Sequence, residues 1–242
     1  VRNKWIVSIS LLIGFILSFG WGAAAIKFQI FPYKLIRQAV VPPGASPAQI
    51  AAAGLMEKYP READVVFIGD SIFSMVQWQD VFPNIRVVER AIGNDTSKNI
   101  LDRVRSIQAT RAPAAVMLVG ANDVNNGVPE AETVANIAAI RRALPGELYI
   151  LSVLPCSYAN PGCAEKSKRI KSLNNKLREI PGIRFVDVAA GMSADDIGDG
   201  THPNLAGLEK IVASVKDVLS ARPILTPRGA LRADRAAASP RQ

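Results

Sequence analysis

Only one histidine and two cysteines occur among the 242 residues of this chain. One imidazole leaves a single candidate for proton transfer near neutral pH, His202, in "DGTHPN". Lone histidines are most often satisfied core or surface side chains, so the surroundings of this one must decide its role. The cysteines, Cys156 and Cys163, stand in "PCSYANPGCAE", outside any CxxC or Cys/His cluster, and no metal or cofactor is expected from them. A disulfide between them would close a short loop and add about 2.5 kcal/mol in the chain-entropy model. Two free cytosolic thiols are the alternative. Acidic residues are absent from positions 1–46, which carry +5, and positions 222–242 carry +4. Against a formal +8, the segment between has a net charge of −1, so it shows no electrostatic footprint for nucleic acid.

Charge is also missing from residues 5–26, "WIVSISLLIGFILSFGWGAAAI". A helix of that length spans about 33 Å, enough for a hydrocarbon core of about 30 Å. Trp5 and Trp21 fall near its ends, where amphipathic rings settle at the interface. An uncleaved membrane anchor is expected over residues 1–27. Ala23, Ala24 and Ala25 also offer the small residues of a cleavage site, which keeps a signal peptide as the alternative. Both readings place the rest of the chain outside the cytoplasm, on the periplasmic or extracellular side, where a bond between Cys156 and Cys163 would persist.

The remainder reads as a linker (28–45), one domain (46–221) and a disordered basic tail (222–242) rich in Pro, Ala and Arg. Ser46, Pro47 and Gln49 have the spacing of an N-cap, a first helical position and a capping-box partner. Short apolar runs at 64–69, 85–88, 114–120, 148–154 and 183–188 alternate with helical patterns at 97–110, 129–144 and 164–180. Five strands joined by helices imply an α/β fold, a parallel sheet covered on both faces, with its chemistry beyond the C-terminal strand ends.

Those ends carry polar blocks. The first strand runs into "GDSI", where a sharp turn can present the Ser71 hydroxyl. The second leads to "AIGNDTS", the third ends in "GAND", and "DGTHPN" precedes the last helix. Ester attack needs a nucleophile, a base, a group to orient the base, and donors for the oxyanion. Ser71, His202 and Asp199 suit the first three roles, and Asn122 with the Ser71 N–H suits the fourth. Asp70, Asp95 and Asp123 are expected to bond nearby backbone or cap turns, and Arg141 and Arg142 to lie on a solvated helix face.

With these four blocks in order over about residues 60–220, the chain resembles the GDSL-type esterases, or SGNH hydrolases. The resemblance implies a three-layer flavodoxin-like sandwich, Ser-His-Asp catalysis without metal or cofactor, and substrates from small acyl esters to lipids and O-acetylated polysaccharides. The second block departs from the family pattern I-x-G-D: Asn94 stands where the family has glycine, and Gly93 precedes it. The second backbone donor is therefore open between Asn94 and Gly93. The expected activity is an exported esterase acting on acyl groups, with O-acetyl on an envelope glycan or a lipid as substrate. An O-acyltransferase sharing the same acyl-enzyme is one alternative. A catalytically silent envelope binding module is another, and the intact Ser, His and Asp argue against it.

Overall fold

The computed structural model describes residues 2–28, 31, 44–157, 159, 160 and 162–220. The basic tail expected at 222–242 and nearly all of the linker expected at 28–45 lie outside the described residues. The chain divides into two compact units, Val1–Gly44 and Ala45–Gln242. Among its described residues, the first carries the helix α1 (Arg2–Phe28). By length and composition, its stretch Val7–Lys27 can cross a membrane.

The second unit opens with α2 (Pro47–Lys58), started by the capping box that the sequence implies. The Gln49 N–H donates to Ser46 Oγ, and the Ser46 N–H donates to Gln49 Oε1. Five strands follow: β1 (Val65–Gly69), β2 (Val87–Ala91), β3 (Ala114–Leu118), β4 (Glu147–Leu151) and β5 (Ile183–Val186). All pair in parallel in the order β2-β1-β3-β4-β5, the flavodoxin-like order. Alternate residues of the strands feed two cores, because side chains on a strand point to opposite faces in turn. Val66, Ile68, Met117 and Ile150 pack beneath α4 (Ser97–Asp102), α5 (Val104–Gln108), α7 (Glu130–Ala143) and α8 (Cys163–Arg178). Phe67, Val116 and Leu151 face the other way, toward Trp78 in α3 (Trp78–Val81) and toward α9 (Leu205–Ser220). In α9, Ile211, Val215 and Leu219 recur every four residues and form its buried stripe. The result is the three-layer sandwich expected from the alternation of elements.

Three local expectations need correction. The β2 strand runs two to three residues later than the apolar run at 85–88 and includes Glu89 and Arg90. As an edge strand it tolerates them, because both side chains find partners: Glu89 Oε1 accepts the Trp78 N–H, and Arg90 Nε donates to Ser106 O. The helix expected at 97–110 is broken at Arg103, between α4 and α5. That residue leaves helical geometry as its guanidinium turns inward to Asp95 Oδ2 at 2.7 Å. Arg141 is not on a solvated face, because its Nη1 donates to Leu144 O and Gly146 O beyond the end of α7. Arg142 is exposed.

The ion pair of Arg103 and Asp95 is 6 % and 1 % exposed at its side chains. Burial pushes the Asp95 carboxyl up and the Arg103 guanidinium down, and each partner opposes the shift of the other. Desolvation therefore consumes much of the attraction, while loss of one member strands a buried charge. Asp95→Ala is expected to lower stability by about 3–5 kcal/mol in urea unfolding, with the denaturant slope unchanged.

Candidate active site

The strands β1, β2 and β3 end level, Gly69 pairing with both Ala91 and Leu118. The turns that follow them therefore lie side by side. Asp70 turns the first of these: its Oδ1 accepts the Ile72 N–H at 3.0 Å, and Ser74 Oγ donates to Ser71 O at 2.8 Å. Ser71 is thereby held half-buried at the tip, ahead of the single 3-10 turn Phe73–Met75.

In the second turn, the Ile92 N–H donates to Gly69 O and the Asp95 N–H to Ile92 O. Asn94 takes φ 65°, the left-handed region that glycine occupies freely and asparagine tolerates better than most residues. Gly93 faces the Ser71 turn, since a Cβ placed on it would sit 3.9 Å from Ser71 Cβ. Among the described residues, the N–H groups of Ser71, Gly93 and Asn94 make no hydrogen bond within the protein. The third turn passes through Gly120 at φ 118° into α6 (Ala121–Asn126), where Asn122 Nδ2 donates to Asp95 O at 3.0 Å and to Asp70 Oδ2 at 3.2 Å.

From the far side comes the turn before α9. Its base is pinned by the bridge of Ile197 with Pro203 and by the Gly198 N–H on His202 O. Asp199 Oδ1 accepts the N–H groups of Thr201 and His202, which leaves Oδ2 for His202 Nδ1 at 2.8 Å. His202 Nε2 then lies 2.9 Å from Ser71 Oγ, across 131 residues of sequence. Partial desolvation works to raise the Asp199 pKa. The hydrogen bonds from the His202 N–H and imidazole and from the Thr201 N–H outweigh it and hold the carboxyl at about 2. With Asp199 ionised at neutral pH, the proton of a neutral imidazole belongs on Nδ1, and Nε2 is free to accept from the Ser71 hydroxyl.

All the site residues expected from the blocks thus meet at one end of the sheet. Of the acids expected to bond nearby backbone or cap turns, Asp70 does so through the Ile72 N–H, and Asp123 takes the N–H and hydroxyl of Ser97 at the start of α4. Asp95 does not: its carboxylate takes the side chains of Arg103 and Gln49, which the fold brings to it. Cys156 and Cys163 form a disulfide, beside an open groove bordered by Ile72, Val124, Leu154, Asn160, Lys166 and Thr201. Among the described residues no group of three His, Cys, Asp or Glu side chains is placed to hold a metal ion. The sequence reading missed Asn160 and Thr201, whose contact joins positions 41 residues apart and has no local signature.

Asp70 differs from Asp199 in kind. Burial raises its pKa from 3.8 to about 6, opposed by the Ile72 N–H and by His202 when charged, and reinforced by Asp95 and Asp123. A carboxyl titrating higher in the native state than in the unfolded chain contributes stability below about pH 4 that is lost as pH rises through about 6. Relative to wild type, Asp70→Asn should therefore gain about 2 kcal/mol between pH 4 and pH 6.5 in urea titrations, because the amide does not ionise.

Comparison with known proteins agrees with this architecture. Residues 67–210 match the model of the GDSL-like lipase/acylhydrolase family. The Drosophila melanogaster protein named platelet-activating factor acetylhydrolase IB subunit beta homolog is 29 % identical over 177 residues, covering 66 % of this chain and 79 % of its own. A proposed acylhydrolase from Bacteroides fragilis superposes with a TM-score of 0.63 at 22 % identity, over 73 % of this chain and 98 % of its own. An acetylxylan esterase from Geobacillus stearothermophilus, solved as a catalytic mutant, gives 0.54 at 18 % identity, over 66 % and 95 %. With the family match spanning more than half of a chain whose four polar blocks converge at the strand ends, this protein belongs to the GDSL-like lipase/acylhydrolase family and is a hydrolase.

Proposed function

We propose that the protein is a membrane-anchored serine esterase that removes short acyl groups, acetyl foremost, outside the cytoplasm. The observation that carries this reading is the relay of Ser71 Oγ, His202 and Asp199, with contacts of 2.9 and 2.8 Å. His202 Nε2 takes the Ser71 proton as Oγ bonds to the ester carbonyl carbon. The carbonyl electrons move onto oxygen, and the resulting oxyanion is met by the N–H groups of Ser71 and of Asn94 or Gly93. Asn122 Nδ2 joins them by releasing Asp70, the longer of its two contacts. Collapse breaks the bond to the leaving alcohol, which takes the imidazolium proton. Water then repeats the sequence on the acyl-serine and frees the acid.

Hydrolysis is favoured over transfer because the relay is open. The His202 and Asp199 side chains are 36 % and 63 % exposed, so water reaches the acyl-enzyme directly. The acetyl preference follows the names of two similar proteins, an acetylhydrolase and an acetylxylan esterase. An O-acetylated envelope glycan or an acetylated lipid is the substrate class that suits a chain with an apolar N-terminal helix.

Ser71→Ala and His202→Ala are each expected to abolish nearly all acetate release, with the double variant barely worse, since the two act as one unit. In the same series Asn122→Ala should cost about 10²- to 10³-fold in rate, while Asn94→Gly should stay within a few-fold because glycine accepts the same φ. A fluorophosphonate should label Ser71 in the wild type. Product analysis with and without a glycan acceptor should find free acetate in both, and acetyl moved to the acceptor would favour the transferase. Retention of more than about a tenth of activity in His202→Ala would reject the relay, since the chain has no second histidine.

The compartment has its own test. Anchoring by α1 with the hydrolase unit outside predicts that protease added to spheroplasts digests the domain. It also predicts that Cys156 and Cys163 resist alkylation in unreduced, denatured protein from the host. Protection from the protease, or two free thiols, would place the domain in the cytoplasm.

A further inference from the structure

The loop from β4 to α8 does more than connect them. Between Cys156 and Cys163 it presents Asn160, buried and bonded on every side that the structure describes. The Asn160 N–H donates to Ser157 O, and its carbonyl accepts the Cys163 N–H. Its Oδ1 accepts from Lys166 Nζ at 2.5 Å, and its Nδ2 donates to Thr201 Oγ1 at 2.8 Å. The same loop meets the neighbouring residue, Gly200, through the Ser157 N–H on Gly200 O at 3.3 Å. Gly200 sits at φ 95°, and a Cβ there would lie 2.5 Å from Asn160 N, so the two backbones are in direct contact.

Gly200 and Thr201 are the residues between Asp199 and His202. The base of their turn is tied to the α9 side, by the Asn204 N–H on Asp196 O and by Lys210 on Asp196. Its tip bears on the disulfide loop. The Thr201 N–H also holds Asp199 Oδ1, so a displacement of Thr201 moves the carboxylate that orients His202.

The geometry points to Asn160 as a positioning residue: set by the disulfide-closed loop, it holds Thr201 and Gly200 so that His202 Nε2 stays on Ser71 Oγ. Opening the disulfide therefore slows the chemical step. This inference rests on the reading of Ser71 and His202 as nucleophile and base. A misplacement of about 1 Å in such a relay can cost about 10²-fold, whereas the sheet and its two cores do not depend on the contact. The contact acts through the orientation of His202, so the loss should fall on kcat.

The test uses the full-length chain in detergent, with p-nitrophenyl acetate as substrate and a fluorophosphonate to time reaction at Ser71. Asn160→Ala and Thr201→Val should each lower kcat about tenfold or more, with KM within about twofold, and slow phosphonylation by the same factor. The pair together should be no worse than either alone, and Thr201→Ser, which keeps the hydroxyl, should recover the rate. Dithiothreitol, oxidised to its cyclic disulfide as Cys156 and Cys163 become thiols, should slow the folded wild type to the level of Asn160→Ala. The double variant Cys156→Ser with Cys163→Ser should be equally slow and indifferent to dithiothreitol. Wild-type kcat in Thr201→Val and in the reduced enzyme, with Ser71 still labelled, would overturn the positioning role alone. A loss confined to KM would do the same. Failure of the fluorophosphonate to label wild-type Ser71 would overturn the nucleophile assignment and this inference with it.

Discussion

The buried ion pair of Arg103 with Asp95 is the constraint on which the rest of the site depends. One guanidinium donates to Asp95 Oδ2, to Arg90 O near the end of β2 and to Gly69 O at the end of β1. Asp95 in turn passes its backbone oxygen to Asn122 and its other carboxylate oxygen to Gln49 of α2. The strands β1 and β2 and the turn bearing Gly93 and Asn94 are thus joined through two side chains, and Asn122 adds the first turn of α6 through the Asp95 backbone oxygen. An apolar pair could fill the same space at less desolvation cost, but it could not aim four segments at one point. Arg103 Nη1, also buried, has no hydrogen-bond partner among the described residues.

Around that junction, burial divides the carboxylates into two kinds. Asp199 stands in a solvent-exposed turn and accepts three hydrogen bonds from Thr201 and His202, so it is held ionised to about pH 2. Asp70 is sealed beneath the turn that carries Ser71, and its pKa is raised to about 6. Asp70 is adjacent to Ser71, while Asp199 reaches the serine only through the imidazole. Environment thus leaves one acid ionised against the imidazole and the other buried in the turn it shapes.

The hydrolase unit is supported on two sides that differ in strength. Toward the sheet, the site rests on strand ends buried in two cores. Toward solvent, the turn carrying Asp199 and His202 rests on a short bridge and on a loop closed by one disulfide. That exposure leaves the turn of Asp199 and His202 as the part of the site least protected by packing, and the disulfide loop bears on that part.

Local chemistry in the sequence determined the uncharged N-terminal helix, the capping box at Ser46 and Gln49, the five-strand alternation and the four polar blocks. Each of these is written within a few consecutive residues, where spacing, propensity and turn chemistry act directly. That Ser71, Asn122, Asp199 and His202 would meet could be read for the same reason, because parallel sheets gather the turns at their C-terminal ends. Other features were decided only by tertiary structure. Arg103 breaks a continuous helical pattern because its partner Asp95 lies inside. The β2 strand carries Glu89 and Arg90 because Trp78 and Ser106 await them. Asn160 reaches Thr201 because the fold brings the disulfide loop onto the turn. These depend on which groups meet across tens of residues and on what water is excluded when they do, and no local pattern carries that information.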